Sequence, residues 1–226
     1  MRKLFHMVLL VVVLGGLQAL SADPTLPLST DEVPAFDQAF MHPYSRSLEI
    51  GGTAFELASL LAPALLFAEP AEEYLSIATM YGETLLAAYA LKELGKLCFP
   101  RARPFLYYQA YPVEKIEKGD AYDSFPSGHA TMAFAGAAFT SYVFAIYHPN
   151  SVWRIPVTVA SYSLALATAL SRIASGNHFP SDVLSGALLG TLVGVGVPFL
   201  HRSFTSNQEV TATVSPFAVA FRIALR

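Results

Sequence analysis

The sequence predicts an all-α fold, a membrane-embedded bundle of about five to six helices. Hydrophobic residues make up 54% of the 226 residues and charged residues only 14%, well below the roughly 25% of a typical soluble domain. Three runs carry no charged side chain and are rich in Ala, Gly, Ser and Leu: residues 130–147, 155–171 and 183–200. Small residues of this kind let membrane helices pack closely, and each run is about as long as the shortest helix that spans a bilayer.

Two further apolar segments, residues 53–68 and 74–94, are also predicted to be helices. They contain Glu56 and Glu83, and a carboxylate is costly inside a bilayer. A soluble bundle of buried helices therefore stays open as the alternative to a membrane bundle. The polar and basic stretch 95–128 is predicted to form a loop.

The N-terminal segment, residues 1–22, has the layout of a secretory signal peptide or of an uncleaved first membrane helix. Arg2 and Lys3 precede an apolar run, and small residues follow it. Either alternative sends the next segment out of the cytoplasm. That segment, residues 23–47, is rich in Pro, Asp, Ser and Thr and is predicted to be an exposed extracytoplasmic linker.

The helical domain is predicted to span residues 48–202. The tail, residues 203–226, alternates in a strand-like way, so a short hairpin and a disordered end are both open. The single cysteine, Cys98, allows no intrachain disulfide, and no cysteine cluster indicates a metal site. The net charge of −3 provides no basic field that would recruit nucleic acid.

The candidate catalytic and binding residues form three groups at the ends of the apolar helices. The groups are Lys96 with Arg103 and Pro104; Pro126, Ser127, Gly128 and His129; and Ser171 and Arg172 with His178 and Asp182. A phosphoryl group in transfer spreads negative charge over its oxygens. The three cations of these groups, Lys96, Arg103 and Arg172, would stabilise that charge, and they stand out in a chain with few charged residues. Ser127 and Gly128 directly precede an apolar helix, and the free N–H groups of a helix N-terminus bind phosphate.

The third group adds a nucleophile. A carboxylate such as Asp182 near His178 can hold one ring nitrogen as N–H, which frees the lone pair of the other nitrogen to attack. His129 stands in the first turn of its helix, aimed at the same anion. Because two helix crossings separate the second group from the third, all three groups are expected on one side of the bundle. The N-terminal segment makes that side extracytoplasmic.

These groups resemble the signature of the type 2 phosphatidic acid phosphatase superfamily. The signature reads Lys, six residues, Arg-Pro; then Pro-Ser-Gly-His; then Ser-Arg, five residues, His, three residues, Asp. The sequence has KLCFPRARP, PSGH and SRIASGNHFPSD, without departure. From average residue frequencies, all three arise by chance in one chain with a probability on the order of one in a million.

The resemblance implies a metal-independent phosphatase that needs no cofactor. It implies that His178 attacks phosphorus and forms a phosphohistidine, that Asp182 orients His178, and that His129 protonates the leaving oxygen and then activates water. The phosphate-binding residues that it implies are Lys96, Arg103, Ser127, Gly128 and Arg172. Arg101 lies outside the signature and is predicted to be a solvated loop cation, with assistance in phosphate binding as the alternative.

The apolar helices favour a lipid phosphate or diphosphate as substrate. Phosphatidic acid, phosphatidylglycerophosphate, a polyprenyl diphosphate and a lipid A phosphate all fit. The expected location is a bacterial-type inner membrane, with the active site facing the periplasm or the cell exterior. Three alternatives stay open: a soluble periplasmic acid phosphatase of broad specificity, a non-enzymatic lipid-phosphate binding or transport protein, and a vanadate-binding haloperoxidase.

Overall fold

The computed structural model describes residues 26–68, 73–206, 208–215 and 218–225. The segment predicted as a signal peptide or first membrane helix, residues 1–22, lies outside these described residues. Within them, five long helices form a bundle: α2 (Arg46–Leu61), α3 (Tyr74–Cys98), α5 (Gly128–Tyr147), α6 (Arg154–Ala174) and α7 (Pro180–Ser206). The shorter elements are helices α1 (Ala35–Gln38) and α4 (Val113–Glu117) and the 3₁₀ turns Ala62–Ala68, Pro104–Tyr107 and Asp120–Tyr122.

The predicted helical bundle is confirmed, and all five predicted helical runs lie within helical elements. Helix α3 continues to Cys98, so Lys96 lies on its last turn rather than in the predicted loop. In the described part of the chain, three helices are long and apolar enough to cross a membrane: Gly128–Tyr147, Arg154–Ala174 and Pro180–Ser203. They coincide with the three charge-free runs of the sequence.

Small residues set how closely the helices pack. A Cβ atom added to Gly186 of α7 would lie 2.6 Å from the carbonyl oxygen of Ser127, and one added to Gly194 would lie 2.5 Å from that of Ala135. Any larger residue would therefore push α7 away from α5. Ser59 of α2 donates from Oγ to the carbonyl oxygen of Ala133 at 2.8 Å, which holds α2 against α5 in the same way.

Successive long helices run in opposite directions. One end of the bundle therefore collects the N-termini of α2, α5 and α7 and the C-termini of α3 and α6. The opposite end holds an apolar core in which Phe139 packs with Leu66, Met80 and Tyr81. The polar motifs all fall at the first end.

Residues 26–44, here called the strap, lie across the polar end of the bundle. Most strap side chains are exposed, but Val33 and Asp37 are buried. The Leu28 N–H donates to the carbonyl oxygen of Leu106 at 3.0 Å, and directly after the strap the Ser45 N–H donates to the carbonyl oxygen of Ser175 at 3.1 Å. The segment predicted as an exposed linker is thus fastened to the bundle at several points.

The tail forms an antiparallel hairpin, one of the two alternatives that the sequence left open. Strand β1 (Gln208–Ser215) pairs with β2 (Ala218–Leu225), and the register places Ser215 opposite Ala218. Among the described residues, these two strands come after α7 in the chain and are added to a set of helical elements.

Candidate active site

The three sequence motifs meet at the polar end of the bundle. The Ser127 N–H donates to the carbonyl oxygen of Asp182 at 3.0 Å, which joins the second motif to the third. Arg103 Nη1 lies 3.0 Å from His178 Nε2, which joins the first motif to the third. The topology expected from the two helix crossings is therefore observed, and a single site collects the predicted residues.

A tight turn after α6 brings His178 into the site. Gly176 has a φ of 69°, in the left-handed region that glycine adopts without steric cost. The N–H groups of Asn177 and His178 then both donate to the carbonyl oxygen of Arg172 at 3.2 Å. This cap ends the helix and leaves His178 only 2% exposed.

The tautomer of His178 follows from its two hydrogen bonds. Nδ1 lies 2.8 Å from the carbonyl oxygen of Ser124, and because a carbonyl can only accept, Nδ1 carries the proton. Nε2 faces the guanidinium of Arg103, which can only donate. The lone pair is therefore on Nε2, where it accepts from Arg103 Nη1, and Nε2 is the nitrogen that faces the cations of the site.

Asp182 is linked to His178 indirectly, through Ser124. Its Oδ2 accepts the Phe179 N–H at 2.9 Å and the Ser124 hydroxyl at 2.6 Å. Asp182 is the third residue of α7, and by accepting the N–H of Phe179, the residue before the helix, it caps the N-terminus of α7. Oδ2 is 3.9 Å from His178 Nδ1, too far for a hydrogen bond but close enough to stabilise a positive ring. The orienting hydrogen bond expected from Asp182 is made by the Ser124 carbonyl instead.

The surroundings of His178 keep it neutral. Burial, followed by the positive charges of Arg103 and Arg172, lowers the pKa of His178 well below its ordinary value, and Lys96 acts in the same direction. The hydrogen bond to Ser124 opposes these effects without outweighing them. At neutral pH the imidazole therefore has a lone pair available.

Arg103 is held in one orientation. Its Nε donates to the Asp120 carbonyl oxygen at 2.7 Å, its Nη2 pairs with the Asp120 carboxylate at 2.5 Å, and its Nη1 donates to the Asn177 carbonyl oxygen at 3.1 Å. Lys96 is held more loosely, with its Nζ 3.7 Å from the Glu93 carboxylate. The first motif thus supplies one fixed cation and one adjustable cation.

Arg172 and Ser127 have buried polar atoms without partners. Arg172 is 1% exposed and its Nη2 lies 3.4 Å from Glu49 Oε1. Its Nε and Nη1, and the hydroxyl of Ser127, have no hydrogen-bond partner among the residues that the structure describes. Ser127 is the N-cap residue of α5, yet its side chain makes no capping bond. A buried donor left unpaired costs about 1–3 kcal/mol, so these groups favour an anion in the site.

His129 and Gly128 lie at the start of α5, next to Ser127. His129 Nε2 is 3.5 Å from Glu56 Oε2 of α2. A Cβ atom on Gly128 would be 3.2 Å from Cδ of Lys92, so Lys92 runs alongside the motif one turn before Lys96. Lys92 is a further cation of this end of the bundle that the three motifs do not include.

The carboxylates nearest the phosphate-binding candidates pair with those cations: Glu93 with Lys96, Asp120 with Arg103 and Glu49 with Arg172. In the described part of the chain, no three His, Cys, Asp or Glu side chains cluster in a way that would hold a metal ion. The groups placed to hold an anion are the side chains of Lys96, Arg103, Arg172 and Ser127 and the backbone at Gly128.

Sequence reasoning missed Ser124 and Asp37 and was wrong about Arg101. The Arg101 guanidinium is not a solvated cation: it pairs with Asp182 at 2.5 Å and with Asp37 at 2.7 Å, and it lies 4.2 Å from the centre of the Phe179 ring. No spacing in the sequence indicates these partners, because Asp37 is 64 residues from Arg101 and Asp182 is 81 residues from it. Only the basic character of Arg101, two residues before Arg103, gave a signal.

Comparison with known proteins decides the family. Residues 77–207, more than half of the chain and including all three motifs, match the PAP2 superfamily. The chain belongs to the PAP2 superfamily. The family resemblance that the three motifs indicated is confirmed.

Individual relatives agree with this assignment. A lipid A 1-phosphatase of Porphyromonas gingivalis is 39% identical over 101 residues, which cover 44% of the chain and 18% of that protein. Lipid phosphate phosphatase 1 of Arabidopsis thaliana is 28% identical over 143 residues, which cover 54% of the chain and 43% of that protein. The chain thus spans less than half the length of either relative.

A solved structure supports the fold. The transmembrane PAP2-type phosphatidylglycerolphosphate phosphatase of Bacillus subtilis superposes with a TM-score of 0.50 at 21% identity, covering 96% of the chain and 98% of that protein. With three helices able to cross a membrane, this PAP2 protein is a membrane-embedded helical bundle. The soluble alternative is not supported.

Proposed function

We propose that this PAP2 protein hydrolyses a lipid phosphate monoester or diphosphate through a phosphohistidine on His178, without a metal ion. The observation that carries the proposal is the pairing of a neutral, lone-pair-bearing Nε2 with buried, unpartnered donors on Arg172 and Ser127. A phosphoryl group would satisfy those donors and bring phosphorus to the nucleophile.

In the first step, the Nε2 lone pair attacks phosphorus in line with the leaving oxygen. The N–P bond forms as the P–O bond to the leaving group breaks, and His129 gives a proton to that oxygen. As the anion arrives, the hydrogen bond of Arg103 Nη1 passes from Nε2 to a phosphate oxygen, while Nε and Nη2 keep their bonds to Asp120. The ring becomes positively charged, and the Ser124 carbonyl and the Asp182 carboxylate stabilise that charge.

In the second step, the now neutral His129 accepts a proton from water. The resulting hydroxide attacks phosphorus, the N–P bond breaks, and inorganic phosphate leaves with His178 restored. In both steps Lys96, Arg103 and Arg172 offset the charge on the equatorial oxygens. Side-chain cations here supply the charge that a divalent metal supplies in other phosphoryl-transfer enzymes.

A lipid substrate is favoured by what surrounds the cations. Three apolar side chains near Lys96 at the end of α3 are exposed, namely Leu94 (45%), Leu97 (40%) and Phe99 (62%). In a membrane bundle they face hydrocarbon or its interface. A phosphate head group held at Lys96 would thus keep its acyl or prenyl chain in the bilayer. The phosphatase activities named for the two relatives agree with this substrate class.

We further propose that the site faces the periplasm or the cell exterior. The signal-like or membrane-spanning segment 1–22 would export the strap, and the helical domain 48–202 would follow with its polar end outside. Cys98, the one cysteine of the sequence, is exposed two residues from Lys96 and provides a reporter. A membrane-impermeant maleimide should label Cys98 in intact spheroplasts but not the Cys98→Ser variant. Labelling only after lysis would contradict this orientation.

The activity itself is tested with detergent-purified protein in excess chelator. Phosphate release is measured on phosphatidic acid, phosphatidylglycerophosphate, a polyprenyl diphosphate, a lipid A phosphate and one soluble ester, for the wild type and for His178→Ala. We expect turnover of at least one lipid phosphate that survives chelation and is lost in the variant. Turnover of the soluble ester alone would contradict the lipid assignment. Lipid-phosphate binding without any turnover would indicate a binding or transport protein.

A further inference from the structure

The strap reaches the catalytic residues through one buried carboxylate. Asp37 is 1% exposed, although the strap around it is mostly exposed. A carboxylate is buried at this level only where it is paired and hydrogen-bonded. The described partners of the Asp37 side chain, Arg101 and Ser181, belong to the active-site end of the bundle rather than to the strap.

Asp37 closes the N-terminus of α7. Its Oδ1 accepts the backbone N–H of Ser181 at 3.0 Å, and its Oδ2 accepts the Ser181 hydroxyl at 2.6 Å. Ser181 is the second residue of the helix, whose N–H has no partner within the helix. A negative charge at this position is further stabilised by the helix dipole. Asp37 therefore acts as an N-cap supplied from a distant segment.

Arg101 links Asp37 to the carboxylate behind the nucleophile. Its Nη2 pairs with Asp37 at 2.7 Å, and its Nη1 pairs with Asp182 at 2.5 Å and donates to the Ser181 hydroxyl at 2.7 Å. The guanidinium, stacked on Phe179, is thus fixed between two buried carboxylates. Such charge-assisted bonds are stronger and more directional than neutral ones.

The backbone of Arg101 also holds the residue that orients His178. Its carbonyl oxygen accepts the Ser124 N–H at 3.0 Å. Ser124 in turn gives its hydroxyl to Asp182 and its carbonyl oxygen to His178 Nδ1. Displacing Arg101 would therefore move both groups that fix the ring. The Ser127 hydroxyl and the Arg172 Nε and Nη1 have no described hydrogen bond to these residues, and Ser127 is joined to Asp182 through its backbone N–H alone.

We infer that Asp37 is a positioning residue, which holds Arg101 and thereby fixes Asp182, Ser124 and His178 for attack. The inference rests on the proposed function. It makes the strap, which lies outside the 77–207 match to the family, a part of the catalytic apparatus. A shift of about 1 Å in a reacting group can cost about a hundredfold in rate.

The test compares Asp37→Asn with Glu32→Gln, which removes an exposed carboxylate from the same strap. For each purified full-length variant, kcat and KM for the preferred lipid phosphate, the inhibition constant of inorganic phosphate and the thermal midpoint are measured. Asp37→Asn should lower kcat roughly tenfold to a hundredfold with KM and phosphate inhibition within about twofold. Glu32→Gln should match the wild type in all four quantities.

Arg101→Lys tests the same link from its other side and covers the case in which Asp37→Asn does not fold. A lysine can reach one carboxylate but not bridge both, so kcat should again fall while phosphate inhibition is kept. Unchanged kcat in either folded variant would overturn the inference. So would a parallel loss of kcat, phosphate affinity and thermal midpoint, which indicates a role in folding alone. A wild type without phosphatase activity would overturn the proposed function and this inference with it.

Discussion

The two walls of the proposed active site are built in opposite ways. The nucleophile wall consists of Arg101, Ser124, His178 and Asp182, and its charged and ring groups have partners within hydrogen-bond distance. The anion wall consists of Lys96, Ser127 and Arg172, where donors are unpartnered or lie 3.4–3.7 Å from a carboxylate.

The difference indicates how the site divides its work. The nucleophile wall is organised before substrate arrives, so attack needs little rearrangement. The anion wall leaves donors unsatisfied, so its stabilisation is gained only when a phosphoryl group enters. Variants in the first wall should therefore reduce kcat, whereas variants in the second should weaken phosphate binding as well.

The largest effect is expected for His178→Gln. The amide keeps the volume but lacks the nucleophilic nitrogen, so turnover should fall by about 10⁴ or more, as for other nucleophile variants. Inorganic phosphate should still raise the thermal midpoint, because the anion wall is intact. Phosphate release in chelator and a melting curve with phosphate measure the two quantities. Loss of the phosphate-induced shift would mean that the two walls are not separable.

The second largest effect is expected for Arg172→Lys. A lysine lacks the Nε and Nη1 donors that have no described partner in Arg172, and planar two-point contact with phosphate is lost. We expect kcat/KM to fall by about 10²–10³ and the phosphate-induced thermal shift to disappear. Steady-state kinetics and the same melting experiment provide the check. A shift as large as that of the wild type would remove Arg172 from the anion wall.

Two serines three residues apart provide a matched pair. Ser124→Ala breaks the 2.6 Å bond to buried Asp182 and should destabilise the fold by about 1–3 kcal/mol, with kcat reduced by about tenfold to a hundredfold. Ser127→Ala removes a hydroxyl without a described partner, so stability in the absence of phosphate should hold or rise. Its kcat/KM should fall by about tenfold. Denaturant unfolding and steady-state kinetics of both variants test these expectations. Equal loss of unfolding free energy in Ser124→Ala and Ser127→Ala would contradict the difference between the two walls.

The smallest effect is a shift along the pH axis. His178 must be neutral to attack, so activity is lost as pH falls through its pKa, which burial, Arg103 and Arg172 hold well below its ordinary value. The acid limb of kcat/KM should therefore lie well below pH 6.5 in the wild type. Arg103→Gln removes one positive neighbour, should raise the pKa of His178 and should move the limb upward by about one pH unit. The pH profiles of kcat/KM for the wild type and Arg103→Gln are measured on the same substrate, so that ionisation of the substrate affects both equally. An acid limb at the same pH in both proteins would contradict the electrostatic account.

The sequence was sufficient to predict the helical bundle and to identify the three motifs. Charge-free runs mark α5, α6 and α7 because their small residues must pack closely, as Gly186 and Gly194 do. Counting helix crossings placed the motifs on one side because consecutive long helices run antiparallel. The residues proposed to bind phosphate could be identified because Lys and Arg are rare in this chain.

The support of the nucleophile was not predictable. Ser124 orients His178 through a backbone carbonyl, a group that every residue carries and that leaves no mark in the sequence. Asp37 stands among other polar residues of an apparent linker, and its burial depends on contacts with residues 64 or more positions away. The extension of α3 to Cys98 was missed because polar residues on its last turns suggested a loop.

The central claim, a covalent intermediate on His178, is tested most directly by trapping it. An aryl phosphate with a good leaving group needs no proton from His129, so His129→Ala should form the intermediate but hydrolyse it slowly. Rapid quenching at alkaline pH followed by peptide mass spectrometry should then locate the phosphate on His178, with none in the double variant His129→Ala, His178→Ala. Phosphate on another residue, or turnover by the double variant, would contradict the account.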